Sequence, residues 1–187
     1  MNPAKVLVVT VLAGTLSIGI ALYGERWLAD RDGAGVEWQR SSGSISTLPD
    51  MRLPDLKGRE IASNAWAGKV VVLNYWATWC PPCLREMPIL AQLQDGFDSA
   101  RLQIVGIAID EQSSVRRFLN ENTVSYQILL GDVDAIELSQ RLGNRTSGLP
   151  FTAVFDRLGK LVFSQTGEIT AADVRNRVLP LLEPKRD

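Results

Sequence analysis

Val70-Val71-Val72-Leu73-Asn74-Tyr75-Trp76-Ala77-Thr78-Trp79-Cys80-Pro81-Pro82-Cys83 is the stretch from which the fold is read. It holds the only two cysteines in 187 residues. The apolar run Val70–Leu73 shows little alternation, as a central strand buried on both faces requires. A helical pattern, Leu84 to Phe97, follows the cysteines directly. A strand that ends in C-x-x-C at the mouth of a helix is the arrangement thiol–disulfide exchange needs.

The spacing has a chemical reason. Two residues between the cysteines, in the first helical turn, bring both sulfurs within disulfide reach. Cys80 falls at the N-cap and Cys83 one turn in, more deeply buried. The free N–H groups and dipole of a helix N-terminus favour negative charge, so Cys80 ionises below the free thiol value of about 8.5. Cys80 is therefore expected to attack a substrate sulfur and Cys83 to resolve the mixed disulfide. Pro81 and Pro82 temper this, because neither carries an N–H. The first amide available to the Cys80 thiolate is that of Cys83, so the depression is expected to be modest.

Other uses of a cysteine pair fit less well. A zinc site needs about four ligands, and the chain has no third cysteine and no histidine. A c-type haem site needs His after the second cysteine, where Leu84 stands. No Thr-x-x-Cys peroxidatic motif is present. An inert structural bridge stays open, although so small a loop gains little chain-entropy stabilisation.

The segment Val72 to Pro88, with its Trp-Ala-x-Trp-Cys-x-Pro-Cys signature, resembles the active-site segment of the TlpA/ResA branch of the thioredoxin superfamily. The likeness covers roughly residues 50–183. It implies a thioredoxin-like α/β fold: a central mixed sheet flanked by helices, with an N-terminal hairpin and an internal insertion. It implies a membrane-anchored periplasmic thiol–disulfide oxidoreductase whose redox centre is the Cys80–Cys83 pair, with no other cofactor. Trp79 is part of the signature. Asn74 stands where cytosolic thioredoxins carry a buried Asp. Since Asn cannot accept a proton, that role passes to another group or to water. Pro150, in Gly148-Leu149-Pro150-Phe151-Thr152, matches the family's cis-proline facing the cysteines; an ordinary trans proline is the alternative. By the same resemblance the Leu149 backbone pairs with an extended substrate segment.

Composition adds limits. With 20 Lys+Arg against 21 Asp+Glu, the formal net charge is −1, and nothing points to nucleic acid. The absence of histidine leaves proton transfer to a carboxylate, a thiol or water. Glu86 lies one helical turn after Cys83. It is a candidate to exchange a proton with Cys83, or else a solvated helix charge. Asn74 is a candidate to satisfy a buried hydrogen bond.

Three segments are expected. Residues 1–24 are a membrane anchor or signal segment. The apolar run Val6–Tyr23 is just long enough to span a bilayer, and Lys5 before it weakly sets the N-terminus inside. A cleaved signal peptide is the alternative. Residues 25–47, rich in Gly and Ser from Arg31 on, read as a flexible linker; Trp38 within it has no assigned role. Residues 48–187 form the thioredoxin-like domain. There, Leu48–Ser63 reads as a hairpin turning at Gly58, and Leu102–Ile109 as a strand. Ser113–Leu119 reads as a helix with a serine N-cap. Tyr126–Leu130 reads as a strand and Val133–Leu142 as a helix. Phe151–Asp156 and Leu161–Thr166 form a hairpin. Ala171–Leu182 closes the domain as one amphipathic helix capped by Thr170.

Three functions are carried forward. The first is a reductase of exported protein disulfides, fed by a membrane thiol-transfer protein, since no dinucleotide fingerprint appears. The resemblance suggests apo-cytochrome c or the copper-site cysteines of cytochrome oxidase as targets. The second is a disulfide donor, the same chemistry reversed. The third is a membrane-tethered chaperone or Cu(I)-binding module. The expected setting is the periplasmic face of the inner membrane, or the soluble periplasm after cleavage.

Overall fold

A computed structural model describes residues 44–183. The proposed anchor and most of the linker, Trp38 included, lie outside them.

The chain opens with a short antiparallel pair, β1 (Arg52–Pro54) and β2 (Glu60–Ala62), turning at Gly58 with φ +78°. A 3₁₀ turn, Ser63–Trp66, leads to β3 (Val70–Trp76). There follow α1 (Pro81–Asp95), β4 (Leu102–Ala108), α2 (Gln112–Glu121), β5 (Gln127–Leu130) and α3 (Val133–Arg141). After these come β6 (Phe151–Phe155) and β7 (Leu161–Thr166). The five-stranded sheet has the order β5-β4-β3-β6-β7. β3, β4 and β5 run parallel, while β6 and β7 are antiparallel to their neighbours. It is the expected mixed sheet, with the insertion α2–β5–α3 supplying an edge strand.

β3 sits at the centre because both its faces are apolar. Val70, Val72 and Trp76 face one core with Met87, Leu90, Leu93, Val115 and Val178. Val71, Leu73 and Tyr75 face the other, with Trp66, Ala135, Leu142 and Phe155. Period-two alternation puts Asn74 on the first face, the one α1 covers. Gly106 lies opposite Asn74 in the register. A Cβ there would come within 2.7 Å of Ile128 Cδ1 and 3.1 Å of Trp76 Nε1.

Three local expectations are corrected. α2 starts at Gln112, with Glu111 at the cap position and no side-chain cap; Ser113 lies inside the first turn. Asp110 Oδ1 accepts the Glu111 amide and turns the chain one residue sooner. The closing helix is not continuous: α4 (Ala171–Asp173) passes into a π-helical stretch, Val174–Val178, then α5 (Leu179–Leu182). Pro180 has no N–H for the α-helical ladder, and the wider turn adapts to that loss. Thr170 caps α4 as expected, in a reciprocal box with Asp173. Finally, pairing to the domain begins before residue 48. Ile45 N donates to Arg141 O at 3.0 Å, and Leu161 N to Ser46 O at 2.8 Å.

Candidate functional site

The site lies at the C-terminal end of β3. Cys80 has extended backbone angles and occupies the N-cap of α1. Pro81 and Pro82 fill the first two helical positions, so the first helical amide is that of Cys83. Cys80 and Cys83 are joined by a disulfide, with Cα atoms 5.3 Å apart. Cys80 is 4% exposed and Cys83 fully buried, so the outer sulfur belongs to Cys80. Beside them Trp79 is 67% exposed, an apolar surface next to a buried sulfur pair.

Glu86 is no solvated charge: its exposure is 0%. It projects from α1 toward the sheet, where Asn74 meets it from β3. Asn74 Nδ2 donates to Glu86 Oε1 at 2.6 Å and to Thr152 Oγ1 at 3.1 Å. Thr152 is in position because β6 pairs it with Asn74. The Ile169 amide, in the loop after β7, donates to Glu86 Oε2 at 2.7 Å. Each carboxyl oxygen therefore has a neutral donor and no cation. Burial pushes the Glu86 carboxyl from the usual 4.5 up to about 7; Glu168 adds to the rise, and the Ile169 and Asn74 donors oppose it. Such a group exchanges a proton near neutral pH. Asn74 does satisfy a buried hydrogen bond, but its own Oδ1 is buried without a partner. The Tyr126 hydroxyl and Trp76 Nε1 are buried without partners as well. Burial, then the Glu86 charge, raises the Tyr126 phenol above its ordinary value.

The Leu149–Pro150 peptide bond is cis. Pro150 is buried and Leu149 half-buried at the entry to β6. The loop is held by Asn144, a residue not singled out from sequence. Asn144 Oδ1 accepts the Gly148 amide and the Thr166 hydroxyl, each at 3.0 Å. Asn144 Nδ2 donates to Gly148 O at 3.0 Å and Ser139 Oγ at 3.2 Å. Among the described residues, no loop or turn backbone hydrogen bond engages Leu149. Asp110, also passed over, accepts from Thr78 on the other side of the cysteines. An Asn four residues before a Gly at the proline loop, and an acid just after the strand beside the C-x-x-C strand, were the available signals.

The structure thus brings Cys80, Cys83, Glu86 and Asn74 to one end of the central sheet. Pro150 and Leu149 reach that end on β6, whose first pair is Phe151 with Tyr75. A buried disulfide with one near-surface sulfur and a carboxyl poised near neutrality is suited to thiol exchange coupled to proton transfer.

Comparison with known proteins agrees. The Redoxin family model matches residues 44–178. The thiol–disulfide oxidoreductase ResA of Geobacillus thermodenitrificans is 32% identical over 134 residues, which cover 71% of this chain and 75% of that one. ResA of Bacillus subtilis is 31% identical over 140 residues, covering 74% and 75%. A Chlorobium tepidum structure described as a putative thiol:disulfide interchange protein DsbE superposes with a TM-score of 0.65. It covers 75% of this chain and 98% of its own at 24% identity, and bears on the fold alone.

Proposed function

The chain belongs to the Redoxin family and to its TlpA/ResA-like thiol–disulfide oxidoreductases, and from that premise we propose that it reduces disulfides in exported proteins, held at the periplasmic face of the inner membrane by residues 6–23. In this reading Cys80, as thiolate, attacks one sulfur of a substrate disulfide. The substrate's S–S bond breaks, a mixed disulfide forms, and the departing substrate thiolate takes a proton. Cys83 then loses its proton to Glu86 and attacks the Cys80 sulfur. The second substrate thiol leaves, Cys80–Cys83 closes, and two electrons have passed from enzyme to substrate. A membrane thiol-transfer protein restores the dithiol.

The observation that carries the proton step is the buried Glu86 carboxyl, caged by Asn74 and Ile169. Trp79, 67% exposed, supplies apolar contact for the client. Leu149, with no loop or turn partner among the described residues, offers its backbone to an extended client segment. Cytochrome c and cytochrome oxidase maturation are the processes the family resemblance suggests for such a reductase.

Direction is tested by the equilibrium reduction potential of Cys80/Cys83, measured on the full chain in detergent micelles against glutathione and dithiothreitol buffers. A value at or below about −270 mV supports the reductase, and one near −120 mV makes the protein a disulfide donor. A folded pair that exchanges with neither buffer refutes both.

A further inference from the structure

Asp110 lies two residues past the end of β4, and Thr78, which it bonds, lies in the turn that carries Cys80. β3 and β4 run parallel with Trp76 opposite Ala108. Ile109 N donates to Trp76 O at 2.8 Å. Carried two residues past the last pair, this register sets Thr78 opposite Asp110. There Asp110 Oδ2 accepts the Thr78 amide at 3.0 Å and the Thr78 hydroxyl at 2.5 Å. Asp110 Oδ1 takes the Glu111 amide at 2.7 Å. Thr78 is thereby gripped by backbone and side chain at once. It lies inside the turn that Cys80 N closes on Ala77 O at 3.2 Å. Neither group belongs to the Glu86 cage, and neither takes part in the exchange steps above.

We propose that Asp110 is a positioning residue that, through Thr78, lowers the reduction potential of the Cys80/Cys83 pair. Two effects act in the same direction. In the dithiol the covalent tie between the cysteines is gone, and the clamp on Thr78 keeps Cys80 at the N-cap within reach of Cys83. Closure of the disulfide then starts from a prepared geometry. The carboxylate is bonded to Thr78, two residues before Cys80, and negative charge on that side of the pair opposes the thiolate and so favours the oxidised form. Thr78 is the coupling element because it binds Asp110 while sharing the turn with Cys80.

The inference rests on the exchange reading but not on its direction. Its test is the thiol–disulfide equilibrium constant with glutathione, measured on the full chain in micelles. The variants are Asp110→Ala, Asp110→Asn, Thr78→Val and Thr78→Ser. Asp110→Ala is expected to shift the equilibrium toward the dithiol about tenfold, which corresponds to about 30 mV. Thr78→Val shifts it severalfold the same way, and Thr78→Ser restores it. Asp110→Asn, which keeps an acceptor and loses the charge, lowers the Cys80 pKa in thiolate absorbance titration. Constants for Asp110→Ala and Thr78→Val within twofold of wild type, in protein with a cooperative unfolding transition, overturn the proposal. If Asp110→Ala fails to fold, the Thr78→Val and Thr78→Ser pair decides by the same criterion. A wild type that never equilibrates with glutathione sinks the exchange reading and this inference together. A normal wild-type constant that no variant moves sinks the clamp alone.

Discussion

Replacing Glu86 with glutamine separates what the buried carboxyl costs the fold from what it does for the chemistry. The folded carboxyl titrates near 7 against an ordinary 4.5, so between those values the native state binds more protons than the unfolded chain. Wild-type stability therefore falls as pH rises through that window and stays low above it. Linkage over pH 5 to pH 8 makes the loss about 2–3 kcal/mol from this one group. The glutamine side chain of the variant has a single carbonyl oxygen where the cage has two donors, Asn74 Nδ2 and Ile169 N. One donor is left unpaired, at roughly 1–3 kcal/mol. That penalty does not depend on pH, so it cancels when the variant and wild type are compared at two pH values. The assay is urea unfolding of the oxidised proteins at pH 5 and pH 8, alongside the rate at which the dithiol reduces a model protein disulfide. The wild type should lose about 2–3 kcal/mol more than Glu86→Gln over this interval. At pH 7 the variant should reduce its substrate on the order of 10²-fold more slowly, as loss of a general base implies. Equal pH dependence in the two proteins would refute the buried-carboxylate argument. An unchanged rate would remove Glu86 from the proton path.

Cys83→Ser should accumulate a mixed disulfide through Cys80 when offered a disulfide substrate, seen by mass spectrometry, because no second thiol remains to resolve it; accumulation through Cys83 in Cys80→Ser instead would reverse the assigned roles. Pro82→Ala supplies an amide at the second helical position, so the Cys80 pKa should drop in thiol titration, and no drop would refute the donor argument. Gly106→Ala forces a Cβ to 2.7 Å from Ile128 Cδ1 and 3.1 Å from both Trp76 Nε1 and Tyr126 Cε2. Denaturant melts should register a loss of about 1–3 kcal/mol from that overpacking, and wild-type stability would show that the pocket yields freely.

The parts of this protein visible in sequence are those encoded by neighbours along the chain. Val70–Trp76 announces a strand with two buried faces, and Cys80 and Cys83 sit where their spacing says. The turns at Gly58 and Gly159 need positive φ, and both are where glycine stands. The site's second layer is different. Whether Glu86 is solvated or caged depends on Ile169, 83 residues away, and Asn74 finds Thr152 at a distance of 78. Thr78 meets Asp110 across 32 residues, through a strand register that periodicity does not supply. Asn144 holds the Gly148 loop with a side chain that reads, in sequence, like any other turn Asn. The wide turn in the closing helix did have a local sign, Pro180, but proline more often ends a helix than widens it.

Each margin of the sheet carries one isolated bridge to the leading segment. Asp55, just beyond the hairpin strand β1, bridges Leu129 on β5, and Thr47 bridges Lys160 beside β7. A sheet margin left bare is a template for stray polypeptide. A thiol–disulfide oxidoreductase acting on protein thiols meets other polypeptide at every turnover. One bridge on each border, made by the leading segment, shortens the bare edge that a client could extend.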